Sequence, residues 1–245
     1  MRKCLLVLGV FLLSHGPLPV GLQAQEKTKT LKVCLVSGSL EYESDKTLAI
    51  FQTHAEKKYR IECSRAFRKT DKDIPGLENL DTCDVMLLFT RRLTPPPEQL
   101  ERVKKYLQSG RPVVGIRTAS HAFQNWLDLD KDVLGGNYKG HFGKGALTKI
   151  HLADKAKGHA ILAGFMAFDS EGTLYKNTGL AKDCDVLLTG SIPDQSEPIA
   201  WTRINNGGRV FYTSLGDQRD FENDSFLRLI VNALYWTSNR QPQPH

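Results

Sequence analysis

The sequence predicts an α/β domain with a doubly wound, mostly parallel sheet and helices on both faces. Two observations carry this expectation. Apolar runs such as "LKVCLVSG" (31–38) and "CDVMLLFT" (83–90) lack polar alternation, as expected of strands buried on both faces. Segments with helical spacing alternate with these runs, and that alternation implies right-handed crossovers.

Residues 1–24 precede the domain. "MRK" is basic, "CLLVLGVFLL" is apolar, and "GLQA" ends in a small residue, the pattern of a cleavable secretory signal. Removing Arg2 and Lys3 with it lowers the formal charge from +6 to +4. The remaining basic residues are scattered, with no stripe interleaved with aromatics, so nucleic acid is not an expected partner. Nor is a membrane, since no later run reaches the roughly 20 apolar residues a spanning helix needs. Export would permit disulfides. Yet Cys34, Cys63, Cys83 and Cys184 each lie in or beside apolar segments without C-x-x-C spacing, so buried free thiols are expected rather than a disulfide framework.

Within the domain, taken as residues 25–238, the first apolar run ends at Gly38. "DKTLAIFQTHAEKKY" follows, with Leu48, Phe51 and Ala55 at helical spacing. "RIECSR" is a short strand and "CDVMLLFT" the third. Thr94 and Pro95–Pro97 open a helix lined by Leu100, Val103 and Leu107, and Gly110 stops it. "PVVGIRT" is the fourth strand. "GGNYKGHFGKG" (135–145) reads as a long loop of the kind that often has a function. Strands resume at "TKIHLA", "DVLLTGSI", "PIAWTRI" and "RVFYTSLG", with "NNGG" (205–208) as a hairpin turn. Phe226, Leu229, Ile230, Ala233 and Leu234 form the stripe of a last helix, capped by Asn223 or Asp224. The tail, 239–245, is expected to be disordered.

Some motifs fail on inspection. Asp128, Asp130 and Asp132 have calcium-loop spacing, but Val133 and Lys139 stand where glycine and glutamate are required. "GKG" (143–145) lacks the remainder of a P-loop. The Asn223-Asp224-Ser225 sequon coincides with a helix cap, which explains it without a glycan. No cofactor is called for. A metal would need about three converging ligands, and no local spacing supports a set drawn from His121, His141 and Glu171 or Asp217.

The corner "VVGIRTASHAF" (113–123) lies where such folds bind ligands, beyond the carboxyl ends of the strands. Together with "GGNYKGH", "GHAILAGF", "EGTLYKN", "EPIAWTRINNGGRVFYTSLG" and the last helix, it makes the chain resemble the trehalose-utilisation (ThuA-like) family over about residues 31–238. That family falls in the class I glutamine amidotransferase-like superfamily. The resemblance implies a flavodoxin-like fold in a single domain and a link to sugars, including oxidised (3-keto) disaccharides. It also implies what is missing. Where glutamine amidotransferases carry a cysteine in G-x-C-x-G, this chain has Arg117, and where their histidine would follow the late strand it has Asp217. A guanidinium has no lone pair to attack with, so the chain is not expected to be a glutaminase. Many ThuA-like proteins place histidines after the first strand, at the corner and after the final strand; here Tyr42, Arg117 and Asp217 occupy those places.

The candidate catalytic residues are Arg117, His121, His141 and Glu171. Arg117 either clamps an anionic or polarised oxygen with paired donors or forms an ion pair. His121, one helical turn on, either shares the cleft or is a core histidine. His141 either closes over a ligand or stands exposed. Glu171 is either a general base or a surface carboxylate, and lies four residues from Tyr175, at a spacing that could put both on one face. Tyr42, Tyr138, Tyr175 and Asp217 are candidate substrate-binding residues, Tyr138 by stacking on a sugar ring and Asp217 by binding hydroxyls. Ser120 beside His121 is set aside because adjacent helical residues do not face each other. The expected activity is proton transfer next to a carbonyl of a sugar or keto sugar, in the manner of an isomerase, epimerase or lyase, in a secreted or periplasmic protein. A non-catalytic carbohydrate- or partner-binding module and a metal-dependent hydrolase are the alternatives.

Overall fold

The computed structural model describes residues 29–143 and 145–245; the signal expected over 1–24 lies outside them. Five strands form the first half of one nine-stranded sheet. They are β1 (Leu31–Gly38), β2 (Ile61–Phe67), β3 (Val85–Thr90), β4 (Val113–Ile116) and β9 (Gly208–Thr213). The second half comprises β5 (Thr148–Leu152), β6 (Asp169–Ser170), β7 (Asp185–Ile192) and β8 (Gln195–Asn205). The order is β2-β1-β3-β4-β9-β8-β7-β5-β6.

Pairings from β2 through β9 are parallel, and those from β9 through β6 are antiparallel. The sheet is therefore mixed in equal parts, not mostly parallel. The physical reason is local. Asn206 and Gly207 both take left-handed backbone angles (φ 49° and 83°), and two such residues make the tight turn that folds β8 back on β9. From there outward each strand reverses. The buried apolar runs mark the parallel half: all of β3, and every residue of β1 except Lys32, is buried.

Helices cover both faces. Helix α1 (Ser44–Lys58) and helix α3 (Asp224–Thr237) contribute Leu48, Phe51, Leu229 and Ile230 to one apolar cluster. Helix α2 (Pro97–Gln108) contributes Leu100 and Val103 to the other. Asn223 caps α3 by accepting from the Ser225 and Phe226 amides, which accounts for the sequon as a cap. Cys34, Cys63, Cys83 and Cys184 are free thiols. Among the described residues no helix is long and apolar enough to cross a membrane.

The tail is not loose as expected. Arg60 donates its amide to the Gln243 carbonyl (2.9 Å), and the His245 amide donates to Lys58 (3.2 Å). Lys58 to Arg60 join α1 to edge strand β2, and the tail pairs with this stretch through a bridge between Tyr59 and Pro244.

Candidate active site

Strand β4 ends in a sharp turn. Arg117 follows it with φ 45°, a left-handed conformation costing a non-glycine residue roughly 1–2 kcal/mol. A short 3-10 turn, Arg117–His121, comes next. This is the strand–strained residue–helix geometry of a nucleophile elbow, here carrying a guanidinium. Tyr212 on β9 secures it by donating its hydroxyl to the Arg117 carbonyl (2.6 Å).

The guanidinium is buried, with the residue only 2% exposed. Its Nη1 donates to the Ser214 carbonyl (2.6 Å). Nη2 donates to the Thr173 carbonyl (3.4 Å) and hydroxyl (3.3 Å). Nε has no partner among the described residues. The rings of Tyr42 and Tyr175 lie 4.5 and 4.7 Å from the guanidinium carbon. Two π faces and backbone carbonyls thus hold the cation, and among the described residues no carboxylate pairs with it in an ion pair.

Two glycines make room for it. A Cβ on Gly172 would lie 2.8 Å from Arg117 Nη1, so the 170–173 segment passes directly against the guanidinium. At Gly216 (φ 117°) a Cβ would lie 2.5 Å from Ile116 Cγ2, so the exit of β9 hugs the elbow.

Arg117 forms part of the lining of a cavity of about 250 Å³, with Glu41, Tyr42, His141, Glu171, Thr173, Asp217 and Gln218. The structure therefore brings Arg117, His141, Glu171, Tyr42 and Asp217 together. Glu171 receives a bond from Arg219 (2.8 Å), and Asp217 accepts from the Arg219 amide (3.4 Å) at the start of a 3-10 turn. His141 is exposed, and its Nδ1 lies 2.7 Å from the Phe142 carbonyl. A carbonyl only accepts, so Nδ1 is the donor in this contact. Glu171 and Tyr175 do not share a helical face. Their segment is irregular; Glu171 is exposed and Tyr175 is buried against Arg117.

His121 and Tyr138 stand apart from the cavity lining. They stack at 4.5 Å, and Tyr138 lies 4.6 Å from Tyr175. Burial, then Arg91, Arg92 and Arg117, push the His121 imidazole down to about 3. The Ser120–His121 contact set aside above exists: Oγ and Nδ1 are 3.0 Å apart. His121 ends a 3-10 turn, not an α-helix, and its ring folds back on its neighbour.

Two residues were not anticipated. Asp220 is buried, and its Oδ2 accepts from the Ser170 hydroxyl (3.0 Å), the Gly216 amide (2.8 Å) and the Asp217 amide (3.0 Å). It thereby ties the two cavity walls together. The other is Asp130, rejected above as a calcium ligand. It begins a π-helical turn, Asp130–Leu134, and its Oδ2 accepts the Tyr138 amide (2.9 Å). Burial raises it to about 6 from the ordinary 3.8. The folded state therefore loses stability as pH rises from about 4 to about 6. For Asp130→Asn we expect this slope to weaken, the variant gaining on the parent by up to about 3 kcal/mol across that window. Urea unfolding at several pH values measures it, and a pH-independent difference would refute the assignment.

A wider groove of about 670 Å³, lined by Trp126, Lys131, Asn137 and Arg203 among others, lies elsewhere. Its Arg203 is already paired with Asp183 (3.0 Å), so the smaller cavity is the better candidate. Among the described residues no group of three or more His, Cys, Asp or Glu is placed to hold a metal ion.

The family model for ThuA, trehalose utilisation, matches residues 32–237. The chain belongs to the ThuA family. Solved structures agree in fold. A protein described as ThuA-like from Parabacteroides merdae is 18% identical, with a TM-score of 0.67 over 87% of this chain and 92% of its own. One from Bacteroides uniformis is 17% identical, with a TM-score of 0.63 over 84% and 91%. A β-galactosidase from Bacillus circulans, 14% identical, aligns over 86% of this chain and 32% of its own, with a TM-score of 0.59. No curated protein matches. The family shares the glutamine amidotransferase-like fold and a link to carbohydrate utilisation, and this member has Arg117 at the elbow.

Proposed function

We propose that this ThuA-family protein is exported and acts on a sugar or keto sugar by moving a proton next to its carbonyl. The observation that carries the reading is Arg117: a buried guanidinium, free of any carboxylate partner among the described residues, in the lining of a cavity whose other lining groups include three carboxylates. Donors at one place and acceptors at others suit a polyhydroxylated ligand with one electron-rich oxygen. Arg117 is always charged, so it stabilises negative charge developing on a carbonyl oxygen during deprotonation. His141 Nε2 and Glu171 are the groups to take the proton. Among the described lining residues there is no cysteine or serine, and the Thr173 hydroxyl accepts a bond from Arg117, so a thiol or free hydroxyl nucleophile has no agent there.

The test is incubation with oxidised and unoxidised disaccharides in deuterated water, with and without chelator, read by mass spectrometry. Deuterium appearing in the keto sugar, insensitive to chelator, is the expected result. For Glu171→Gln we expect exchange slowed by about 100-fold or more. Tight binding without exchange would sink the enzyme reading in favour of a binding module, and turnover abolished by chelator would favour a metal-dependent hydrolase.

A further inference from the structure

A cluster of basic side chains lies beside the cavity and takes no part in the chemistry above. Strand β3 ends at Thr90, and the chain turns through Arg91 and Arg92. This corner is pinned to the elbow by backbone bonds: the Arg92 amide to the His121 carbonyl, the Leu93 amide to Ala122, and the Gln124 amide to Leu93, each 2.8 Å. Arg92 is held at φ 51°. Its exposed side chain has no ion-pair partner among the described residues. Arg91 Nε lies 2.8 Å from Glu41 Oε2, yet the two are not aligned as a hydrogen bond. Glu41 itself lines the cavity, so this pair joins the basic corner to the cavity rim.

We propose that Arg91, Arg92 and His121 form a ledge that binds an anionic substituent, a carboxylate or a phosphate ester, of the sugar held in the Arg117 cavity. The proposal rests on the sugar reading of that cavity. Arg92 has no counterion among the described residues and Arg91 has only Glu41, so an arriving anion gains an unpaired guanidinium beside a partly engaged one. The groups facing His121 are Arg91 and Arg92 from the β3 corner, Arg117 from the elbow, Tyr138 and His141 from the glycine-rich loop, and Tyr175 from the segment after β6. Burial first, and the arginines second, keep the imidazole uncharged. An arriving anion offsets the part that the arginines contribute. His121 then accepts a proton more readily, and anion binding strengthens as pH falls.

Calorimetric titration of the full protein with glucose, glucuronate and glucose 6-phosphate at low salt tests this. We expect at least one anionic sugar to bind about 10-fold more tightly than glucose. Whether glucuronate or the phosphate ester does so identifies the anion. In Arg92→Asn, chosen because asparagine tolerates a left-handed backbone, that preference should vanish; in Arg92→Lys it should be partly restored. The His121 ring resonances should move toward their protonated positions with the anionic sugar and not with glucose. Equal affinities for neutral and anionic sugars, or a preference that survives Arg92→Asn, would overturn the ledge. Should no sugar bind, the sugar reading falls, and inorganic phosphate titrated alone decides the ledge: binding lost in Arg92→Asn upholds it, and no binding overturns it.

Discussion

Replacing Arg117 by lysine should lower turnover or ligand affinity by about 100-fold or more, the usual cost of losing a positioned donor at a developing oxyanion. The charge is kept, so the loss isolates geometry. A guanidinium reaches the Ser214 carbonyl and both oxygens of Thr173 at once while its carbon stays over the rings of Tyr42 and Tyr175. An ammonium is a compact point charge that cannot span those partners. One or more of the buried acceptors is left unpaired, so we also expect a stability loss of about 2 kcal/mol. Glutamine, planar but uncharged, makes the complementary variant. It should bind ligand no better than lysine if charge matters, and better if shape alone does. Circular dichroism and urea unfolding establish that the fold survives. An unaltered rate in folded Arg117→Lys protein would remove this side chain from the site.

Much of this was legible in the sequence, for reasons that differ along the chain. Strands β1, β3 and β4 announced themselves because burial on both faces leaves an unbroken apolar run. The β8–β9 turn was legible because only residues tolerant of positive φ suit it, and Asn206-Gly207 supplies them. The equal share of antiparallel pairing was not legible, because strand direction depends on connections as much as on composition. Arg117 was legible at the elbow; its left-handed backbone and its carbonyl partners, 56 and 97 residues away, were not. His121 was misplaced for a simple reason. Counting four residues assumes an α-helical turn of 100° per residue, and the 3-10 turn found there rotates the side chain elsewhere. Asp220 gave a faint local signal, since Asp217 and Asp220 have the spacing of a reciprocal cap. Its bond to Ser170, fifty residues earlier in the chain, leaves no trace in local pattern.

That bond makes Asp220→Ala the second large expectation. One buried oxygen accepts the Gly216 and Asp217 amides and the Ser170 hydroxyl, and Ser170 Oγ in turn receives the Gly172 amide (3.1 Å). Removing the carboxylate leaves two buried donors and a partly buried one facing an apolar methyl. At about 1–3 kcal/mol for each group that water does not reach, the loss should be roughly 3–5 kcal/mol, read as a lower urea midpoint. The consequence for the site follows from geometry. Asp217 stands on one cavity wall, and Glu171 and Thr173 on another; Asp220 is their common tie. Freed from it, Gly172 no longer packs against the guanidinium, and Arg117 loses its Thr173 partners. Asp220→Asn separates the two effects. Its side-chain oxygen can still accept the three bonds that Oδ2 takes, but as a neutral and weaker acceptor, so stability should recover only partly. Burial already raises the Asp220 carboxyl above its ordinary range, so part of that recovery is the relief of a charge that is costly to bury. If Asp220→Ala unfolds at the parent's urea concentration, the network does not hold the walls, and the geometry assigned to the cavity loses its support.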